Sequence, residues 1–479
     1  MGRKIPMWQI LIVMVIMLLL LYFEIVKGSG DAHIALIIAA IIAAIFAVLN
    51  GWKWSFLEKG ILAAIDRSMQ AMLILMVVGL MIGAWIAGGV VPAMIYYGLM
   101  ILKPSIFLIA GCLLCCIVSL ATGSSWTTAG TIGVALIGVG MGLGINPAMT
   151  AGAIVSGAYF GDKMSPLSDT TNLAPAVAGS NLFEHIRHMI YTTTPSLLVA
   201  LIIFGFLGAG HGSEEVDMSI VTVLMDGLQA EFWISPLLLL PPLCVILMVA
   251  FKMPALPGLI GGTALGVVFM GVQGVSPTAW GELLNYGYES LNEIDEIAKL
   301  LTRGGMQDMM WTISLIMCAM TFGGVMDSSE QLKSLAEAMM KIAKGVGSLV
   351  TITVISCIFM NIVACDQYLA IILPGRMYKE AFEDRRLKSK NLSRCLEDAG
   401  TMTSSLVPWN TCGATMAKFL TVPTFSYLPY AFLNLFNPII SIIYGFTGFS
   451  MHKMTEEEYQ KVLEQRKLDK ELAMRAMEA

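Results

Sequence analysis

The chain has 479 residues and a formal net charge of −5, and 57% of its residues are hydrophobic while only 13% are charged. Soluble domains use about 25% charged residues, so this composition excludes a soluble protein of this length. The weakly acidic balance also gives no sign of a nucleic-acid partner. Apolar stretches recur along the whole sequence, and a helix needs about 20 mostly apolar residues to cross a bilayer. The sequence therefore predicts an all-α polytopic membrane protein surrounded by lipid.

The predicted elements fall into regions that follow one another along the chain. Transmembrane helices are predicted in residues 1–50, and a first repeat follows in 51–210. Linking loops and further transmembrane helices are expected in 211–288, before a second repeat in 289–450. Residues 451–479 mix acidic and basic side chains and are expected to form a cytoplasmic helix.

The first polar interruption is ATGSSWTTAG, residues 121–130, which lies between two apolar arms. Ser124, Ser125 and Thr127 are the hydroxyl residues that we expect to face an ion there. Hydroxyls that pack one membrane helix against another are common, so simple packing remains the alternative for these three residues.

The most polar sequence of the first half is GAYFGDKMSPLSDTTNLAP, residues 157–175. Pro166 has no N–H to donate and clashes with the preceding turn, so it should interrupt a helix and free carbonyls near Asp162. Irregular backbone at membrane depth survives only inside protein or beside a water-filled cavity. The motif is therefore predicted to line an ion pathway.

Oxygen atoms are concentrated around this proline, and hard oxygen ligands suit an alkali cation. Asp169 is predicted to bind Na⁺ together with Ser168 and Thr170. The further candidate oxygen ligands of the motif are Ser165, Thr171 and Asn172.

Asp162 precedes the predicted break and is followed by Lys163. A desolvated carboxylate binds a proton more readily, and one that holds a cation binds it less readily, so a buried aspartate could exchange a proton for a cation by competition. Lys163 is expected to balance charge or contact a substrate, and not to pair with Asp162, because sequence neighbours point apart on a helix. Two alternatives remain open: Asp162 and Lys163 as anchors at a helix end, and Asp169 as a loop cap.

The second half contains matching interruptions, NIVACDQY at 361–368 and LEDAGTMTSSLVPWNTCGA at 396–414. Polar breaks in corresponding positions of two halves indicate a binding site between the repeats of a transporter. Plain helix capping remains the alternative for Asp366, Asn410 and Thr411. The candidate residues of the two motifs are Asp366, Gln367, Asn410 and Thr411.

The two halves align with a drifting separation, as expected after an old duplication with small insertions. Asp398 falls 236 positions after Asp162, and Pro408 falls 242 positions after Pro166. In this alignment Asn410 lies opposite Asp169, so the first half would carry the charge and the second half would supply neutral oxygens.

Two charged regions are expected near the membrane surface. The basic run 376–394 is predicted to be cytoplasmic by the positive-inside rule. Glu397 and Asp398 follow this run, which makes one of them a candidate surface residue. His185 and His188 lie on a short amphipathic stretch and are expected on a solvated interfacial face.

The motifs GTIGVALIGVGMGLGI, GAIVSGAYFGDKMSPLSDTTNLAPAVAGSNLFEHIRHMIYTTTPS and SSLVPWNTCGA resemble those of the NhaC-type Na⁺/H⁺ antiporters of the ion-transporter superfamily. The resemblance covers nearly all of residues 60–450, and the long second motif is specific. It implies a bacterial or archaeal inner-membrane protein that exchanges cytoplasmic Na⁺ for external H⁺.

The superfamily resemblance also implies a fold and an assembly. It implies two inverted repeats, each with a re-entrant hairpin and a broken transmembrane helix, in a homodimer with an elevator-like transport domain. Carried onto this chain, the hairpins would be 105–143 and 347–378, and the broken helices would be 146–178 and 392–422.

The family includes members that exchange proton-coupled malate for Na⁺ and lactate, so hydroxy-acid exchange remains an alternative. Such a pocket would want cationic and amide side chains, which Lys163, Asn172, Gln367 and Asn410 could supply. No cofactor is expected beside the transported Na⁺ and H⁺. Neither paired histidine ligands nor another catalytic grouping points to a membrane-embedded enzyme.

Overall fold

The computed structural model describes residues 2–28, 31–211, 218–251, 253–290, 292 and 294–466. Within these ranges the regular structure is helical, and the chain forms no β-strand beyond the isolated bridges Tyr288–Arg303 and Leu387–Lys453. This agrees with the all-α class expected from composition.

Seven helices of the described chain are long and apolar enough to cross a membrane, and two bent pairs would raise the number to nine. The bent pairs are Val221–Glu231 with Pro236–Ala250, and Thr424–Tyr430 with Phe432–Thr447, which bend by 94° and 59°. The seven are Met7–Ile25, Trp54–Ala87, Pro104–Thr122, Leu182–Gly210, Ala255–Val272, Met306–Ser328 and Val346–Val363.

Large apolar side chains lie on the outside of this bundle. Phe206 is 77% exposed and Leu49 is 73% exposed, which would be unfavourable in water over so many helices but suits contact with lipid. The protein is therefore a multi-pass membrane protein. The other helices that bear on the site are His33–Leu49, Val90–Ile101, Val134–Gly142, Pro147–Met164, Asp169–Ala178, Gln331–Met340, Gln367–Asp384 and Thr411–Leu420.

Trp54–Ala87 and Met306–Ser328 cross in close backbone contact. A Cβ on Gly79 would lie 2.5 Å from the carbonyl oxygen of Gly305, and one on Gly324 would lie 2.9 Å from that of Gly60. Small residues at membrane-helix crossings allow this approach. The pair forms a tightly packed scaffold beside the polar part of the molecule.

The first interrupted helix contains the motif that sequence analysis singled out. Pro147–Met164 ends two residues before Pro166, and Asp169–Ala178 begins after it. The backbone of Ser165 is extended, with φ −81° and ψ 130°, so the chain leaves the helix there. The proline accounts for the break because it cannot continue the hydrogen-bond ladder.

The second interrupted helix follows the same plan. Ser389–Leu396 continues through a π-helical turn, Glu397–Thr401, and ends with Met402–Ser404. The chain becomes helical again at Thr411–Leu420, after Pro408.

Two further breaks lie at the polar interruptions 122–128 and 361–368. Gly123 adopts φ +68° and Cys365 adopts φ +57°, both in the left-handed region. Each is followed by an N-cap, Ser124 and Asp366, whose side chain accepts a hydrogen bond from the new helix. The two breaks therefore share one local conformation, and corresponding residues are 242 positions apart.

The interrupted helices show the same separation. Ser168 and Asn410 are the N-caps of two ten-residue helices, which end at the left-handed residues Gly179 and Thr421. At this constant separation of 242 positions, Asn410 matches Ser168 and not Asp169. The sequence alignment was displaced by one residue at that point.

Two surface expectations are wrong. Glu397 and Asp398 are both fully buried, because the second interrupted helix lies inside the bundle. His185 and His188 are also buried, since the helix Leu182–His211 begins before them and packs them against the chain around 393 and 452. Residues 456–466 are helical, as expected for the C-terminal segment, whereas 467–479 lie outside the described residues.

Candidate ion-binding site

A cavity of about 290 Å³ lies among the four helix breaks and the helix Trp54–Ala87. Its lining brings together side chains from both halves of the chain. The predicted site residues that line it are Ser124, Ser125, Asp162, Asp169, Thr170, Asp366, Gln367 and Thr411.

Asp162 is a buried carboxylate of this cavity, with only 8% of the residue exposed. Ser125 donates to its Oδ2 at 2.7 Å, and Ser168 donates to its Oδ1 at 2.8 Å. Among the described residues Asp162 has no basic side chain within salt-bridge distance. The carboxylate is thus held by uncharged donors and not by a basic side chain, which leaves its charge available to a cation.

Glycines bring the two hydroxyls to the carboxylate. A Cβ on Gly123 would lie 2.7 Å from the carbonyl carbon of Leu167, so only glycine lets this turn approach the break in the first interrupted helix. Gly157 and Gly161 lie directly against the backbone of the helix Pro104–Thr122. Their spacing is the small-residue pattern that allows membrane helices to touch.

Three predicted ligands stabilise the first break and do not line the cavity. Thr171 donates to the carbonyls of Asp162 at 2.8 Å and Lys163 at 2.9 Å. Asn172 donates to the carbonyls of Pro166 and Ser168, and the Ser165 hydroxyl accepts from the backbone of Leu167. Buried carbonyls without a helical partner need such donors. These side chains therefore complete the broken backbone.

Thr170 and Asp169 lie at the cavity itself. The Thr170 hydroxyl is 3.2 Å from that of Ser168, so a chain of hydroxyls leads from Asp162 along the break. Asp169 is exposed to the cavity, and the hydroxyl of Tyr368 lies 3.5 Å from its Oδ2. Asp169 is therefore a more open carboxylate than Asp162.

Of the remaining predicted site residues, some cap a helix, some line the cavity, and Ser124 and Asp366 do both. Ser124 accepts from the backbone and the hydroxyl of Thr127, and Thr127 does not reach the cavity. Asp366 lines the cavity, but its Oδ1 also accepts from the backbone of Leu369 at 2.8 Å. One carboxylate oxygen of Asp366 therefore caps the helix, as the alternative interpretation expected.

Asn410 and Thr411 play different parts at the second break. Asn410 is buried away from the cavity, where its amide accepts from Cys412 and donates to the carbonyl of Asn361. Thr411 lines the cavity, and its backbone N–H donates to the carbonyl of Cys365 at 3.1 Å. That bond joins the second interrupted helix to the neighbouring turn.

Lys163 points away from the cavity. Its Nζ donates to Oδ1 of Asp398 and, at 2.6 Å, to Oδ1 of Asn437. Asp398 also accepts from Thr192 at 2.8 Å and lies 3.7 Å from Arg394. As expected, Lys163 does not pair with Asp162; it forms a second, fully buried charged region that we call the charge cluster: Lys163, Arg394, Glu397 and Asp398.

Sequence reasoning missed Arg67 and Tyr368 as cavity residues. Arg67 lies on the long helix Trp54–Ala87, lines the cavity, and forms an ion pair with Asp327 at 3.4 Å. A signal existed, since an arginine inside an apolar span marks a functional position by default. Tyr368 carried no such signal, because aromatic residues are common in membrane helices.

A multi-pass helical protein whose carboxylates and hydroxyls meet at helix breaks has the architecture of a membrane transporter for a small cation. The profile of the Na⁺/H⁺ antiporter family matches residues 157–449. The chain belongs to this family, which confirms the resemblance drawn from its motifs.

Similar proteins cover nearly the whole chain. It is 37% identical to the Na⁺/H⁺ antiporter NhaC of Alkalihalophilus pseudofirmus over 95% of this chain and 98% of that protein. It is 38% identical to the NhaC of Bacillus subtilis, over 87% and 92% of the two chains. The malate-2H⁺/Na⁺-lactate antiporter of Bacillus subtilis is 37% identical over 92% and 95%.

Proposed function

We propose that this protein is a secondary transporter that exports Na⁺ in exchange for H⁺, with Asp162 as the residue for which the two ions compete. The observation that carries the proposal is the buried Asp162 carboxylate held by Ser125 and Ser168. Membership of the Na⁺/H⁺ antiporter family and the NhaC relatives support the choice of ions.

The chemistry of the cavity suits this exchange. When Asp162 is ionised, the hydroxyls of Ser125 and Ser168 can turn their lone pairs to a cation, and Thr170 adds a further oxygen. Na⁺ prefers such hard oxygen ligands. When a proton occupies the carboxyl, the charge that holds the cation is gone. Asp169, being open to the cavity, attracts cations toward the inner position.

The proposed architecture is that of two inverted repeats. The re-entrant hairpins would have their tips at Gly123 and Cys365, and the constant separation of 242 positions between matching backbone conformations supports the duplication. The protein would lie in the bacterial or archaeal inner membrane with its basic run 376–394 in the cytoplasm. The homodimer and the elevator motion stay predictions from the family resemblance.

The test uses the purified protein in proteoliposomes containing a pH-sensitive dye. An imposed Na⁺ gradient should drive H⁺ in the opposite direction, and Asp162→Asn should abolish this movement because the charge is lost. Asp226→Asn is the matched control, since Asp226 is exposed on the helix Met218–Glu231. Unchanged H⁺ movement in Asp162→Asn would reject Asp162 as the exchange site.

Hydroxy-acid exchange is the second candidate, and the cavity gives it specific support. Its volume of about 290 Å³ exceeds what one Na⁺ needs, and Arg67 could hold a carboxylate there. The test adds malate outside and lactate inside the same vesicles. If H⁺ movement requires these acids and fails in Arg67→Gln, simple Na⁺/H⁺ exchange is the wrong description.

A further inference from the structure

Glu397 is a fully buried carboxyl group that does not line the cation cavity. It begins the π-helical turn Glu397–Thr401 of the second interrupted helix. Neither of its carboxyl oxygens has a hydrogen-bond partner among the described residues, and the hydroxyl of Thr401 has none either. A polar group in this state needs an explanation, because buried polar atoms are nearly always paired.

The neighbouring carboxylate has hydrogen-bond donors at its Oδ1, whereas its Oδ2 has none among the described residues. Asp398 accepts hydrogen bonds from Lys163 and Thr192 and lies 3.7 Å from Arg394. Its negative charge is therefore compensated where it stands. Glu397 has no such charged donor; the Thr401 hydroxyl interacts with it without forming a regular hydrogen bond. A buried carboxyl with so little compensation is more stable with a proton than without one.

Several ionisable groups face Glu397 from the elements packed around it. Lys163 and Asp162 lie on Pro147–Met164, and Cys357 lies on Val346–Val363. Three further ionisable groups lie beyond these neighbours. Arg394 is paired with Asp398, and His185 lies near Lys163. The hydroxyl of Tyr378 is hydrogen-bonded to Ser356. The nearest charges of both signs are thus Lys163, Asp162 and Asp398.

The charges of these groups couple Glu397 to the cavity. With Glu397 protonated, Lys163 and Arg394 outweigh Asp398 by one positive charge, which the ionised Asp162 balances. A Na⁺ ion on Asp162 removes that balance and leaves a positive charge inside the protein. Loss of the Glu397 proton restores neutrality, and a low-dielectric interior favours that outcome strongly.

We propose that Glu397 is a proton-binding site separate from the cation cavity, and that Na⁺ binding at Asp162 expels its proton through the charge of Lys163. The inference rests on the proposed function, because it takes Asp162 as the Na⁺ site. At a pH where Asp162 is ionised, one proton leaves the Glu397 carboxyl for each Na⁺ bound, and Na⁺ release allows it to return. At lower pH, Na⁺ displaces the Asp162 proton as well. Proton and cation then compete through the field between two sites.

A route for the proton runs along the π-helical turn. Thr401 lies four residues after Glu397, which places the two unpaired groups on one side of that turn. Gln367 lines the cavity, and its amide donates to the Thr401 carbonyl at 3.5 Å. The proton would pass from Glu397 by Thr401 to water in the cavity.

Glu397→Gln tests the proposal because glutamine imitates the protonated acid permanently. The measurement is the Na⁺ Kd, obtained by titration with ²²Na⁺ at acidic and at alkaline pH. At alkaline pH the variant should bind Na⁺ more weakly than the wild type, because residue 397 can no longer supply a negative charge when Na⁺ binds. Couplings between sites are typically about 5- to 150-fold in affinity, and a loss of this size is expected.

The companion measurement is H⁺ release on Na⁺ addition in lightly buffered detergent solution. Glu397→Gln should release fewer protons per Na⁺ bound than the wild type, because only the Asp162 proton remains to be displaced, and Glu397→Asp should release as many as the wild type because it retains a carboxyl. Glu58→Gln is the matched control, since Glu58 is exposed on the helix Trp54–Ala87. Wild-type Na⁺ affinity at alkaline pH together with wild-type H⁺ release in Glu397→Gln would overturn the proposal.

Two further outcomes are distinguishable. If the wild type shows no Na⁺-driven H⁺ movement, the proposed function fails and the role of Glu397 fails with it. If Glu397→Gln does not fold, infrared difference spectra of the wild type and Glu397→Asp decide the matter. Na⁺ should remove the absorption of a protonated carboxyl, at a position that changes in Glu397→Asp. A band that is absent or does not move would overturn the proposal.

Discussion

Lys163 donates a hydrogen bond to Asp398 across 235 positions of sequence, and both side chains are fully buried. The bond joins the first interrupted helix to the second on the side away from the cavity. The two breaks are therefore held in one relative position by an ionic contact as well as by packing. Any movement of the site across the membrane would have to carry both interrupted helices together.

Removal of one partner of this pair should destabilise the protein. Lys163→Met leaves Asp398 with the Thr192 hydroxyl and the more distant Arg394, and breaking a buried pair costs about 3–5 kcal/mol. Thermal unfolding in detergent should show the loss. Lys461→Met is the control, because the exposed pair of Lys461 with Glu457 is worth about 0–1 kcal/mol. The double variant Lys163→Met with Asp398→Leu should recover part of the stability, because Arg394 then keeps the oxygens of Ser450 but loses its acidic neighbour. Equal losses in single and double variants would contradict this account.

Close backbone packing should matter for Na⁺ binding. Gly161→Ala would place a methyl group in the backbone of Ser119 and Leu120, which forces the helix Pro104–Thr122 away and withdraws Ser125 from Asp162. We expect weaker Na⁺ binding in a titration with ²²Na⁺. Gly281→Ala is the matched control, because nothing lies near that position on Pro277–Tyr286. Equal Na⁺ affinity in both variants would show that the contact does not position the site.

The two aspartates beside the first break should differ in effect. Sequence analysis took Asp169 as the Na⁺ ligand, whereas the structure leaves it open to the cavity and encloses Asp162. Asp169→Asn should slow Na⁺-driven H⁺ movement at low Na⁺ concentration and spare it at saturation, since an exposed charge acts mainly on ion approach. Proteoliposome assays over a range of Na⁺ concentrations give the answer. Complete loss at saturating Na⁺ would restore Asp169 as the principal ligand.

The C-terminal segment is attached by ion pairs. Arg466 lies 2.5 Å from Glu383 and 2.7 Å from Asp384, in a partly buried position. Arg466→Ala should release the 456–466 helix, which limited proteolysis would detect as faster cleavage. Lys461→Ala should change the cleavage rate little, because its partner lies on the same exposed helix. Equal cleavage of both variants would mean that packing alone attaches the segment.

Acid should loosen the same segment. The hydrogen bond from Lys388 lowers the pKa of Glu458, and hydrogen bonding to Gln460 together with the charge of Arg386 lowers that of Glu456. A lowered carboxyl pKa stabilises the docked state above the ordinary value, and that contribution is lost as the pH falls through the lowered value. The hydrogen-exchange protection factors of residues 455–466, corrected for the intrinsic exchange rate at each pH, should therefore fall below the ordinary glutamate pKa. Protection factors that stay constant over this pH range would contradict the assignment.

Sequence alone located the polar breaks but not their partners. Pro166 and Pro408 predict irregular backbone in both halves, because proline cannot continue the hydrogen bonding of a helix. The partners of Lys163 could not be read in the same way, since its contacts lie more than 200 positions away and depend on how the helices cross. One of Glu397 and Asp398 was predicted to be exposed at the surface because a basic run precedes them in the chain.

Two glycines of the first interrupted helix carry a sequence signal for close helix packing. Gly157 and Gly161 are four positions apart, the spacing at which membrane helices pack closely, and they bring Ser125 to Asp162. The sequence does not predict which hydroxyl of the motif contacts the Asp162 carboxylate. Ser168 donates to the carboxylate and Thr171 donates to the backbone carbonyl, and this difference depends on the local conformation of the helix break.

Arg394 determines where the chain can be cut. Its guanidinium donates to the carbonyl and the hydroxyl of Ser450 and also lies beside Asp398. A truncation after Thr447 would strip these acceptors and leave a buried guanidinium whose remaining neighbour is already shared with Lys163. A truncation or a fused reporter placed beyond Arg466 keeps all of them. Ser450 is thus required by the folded membrane part of the protein, although it comes after the last described membrane helix.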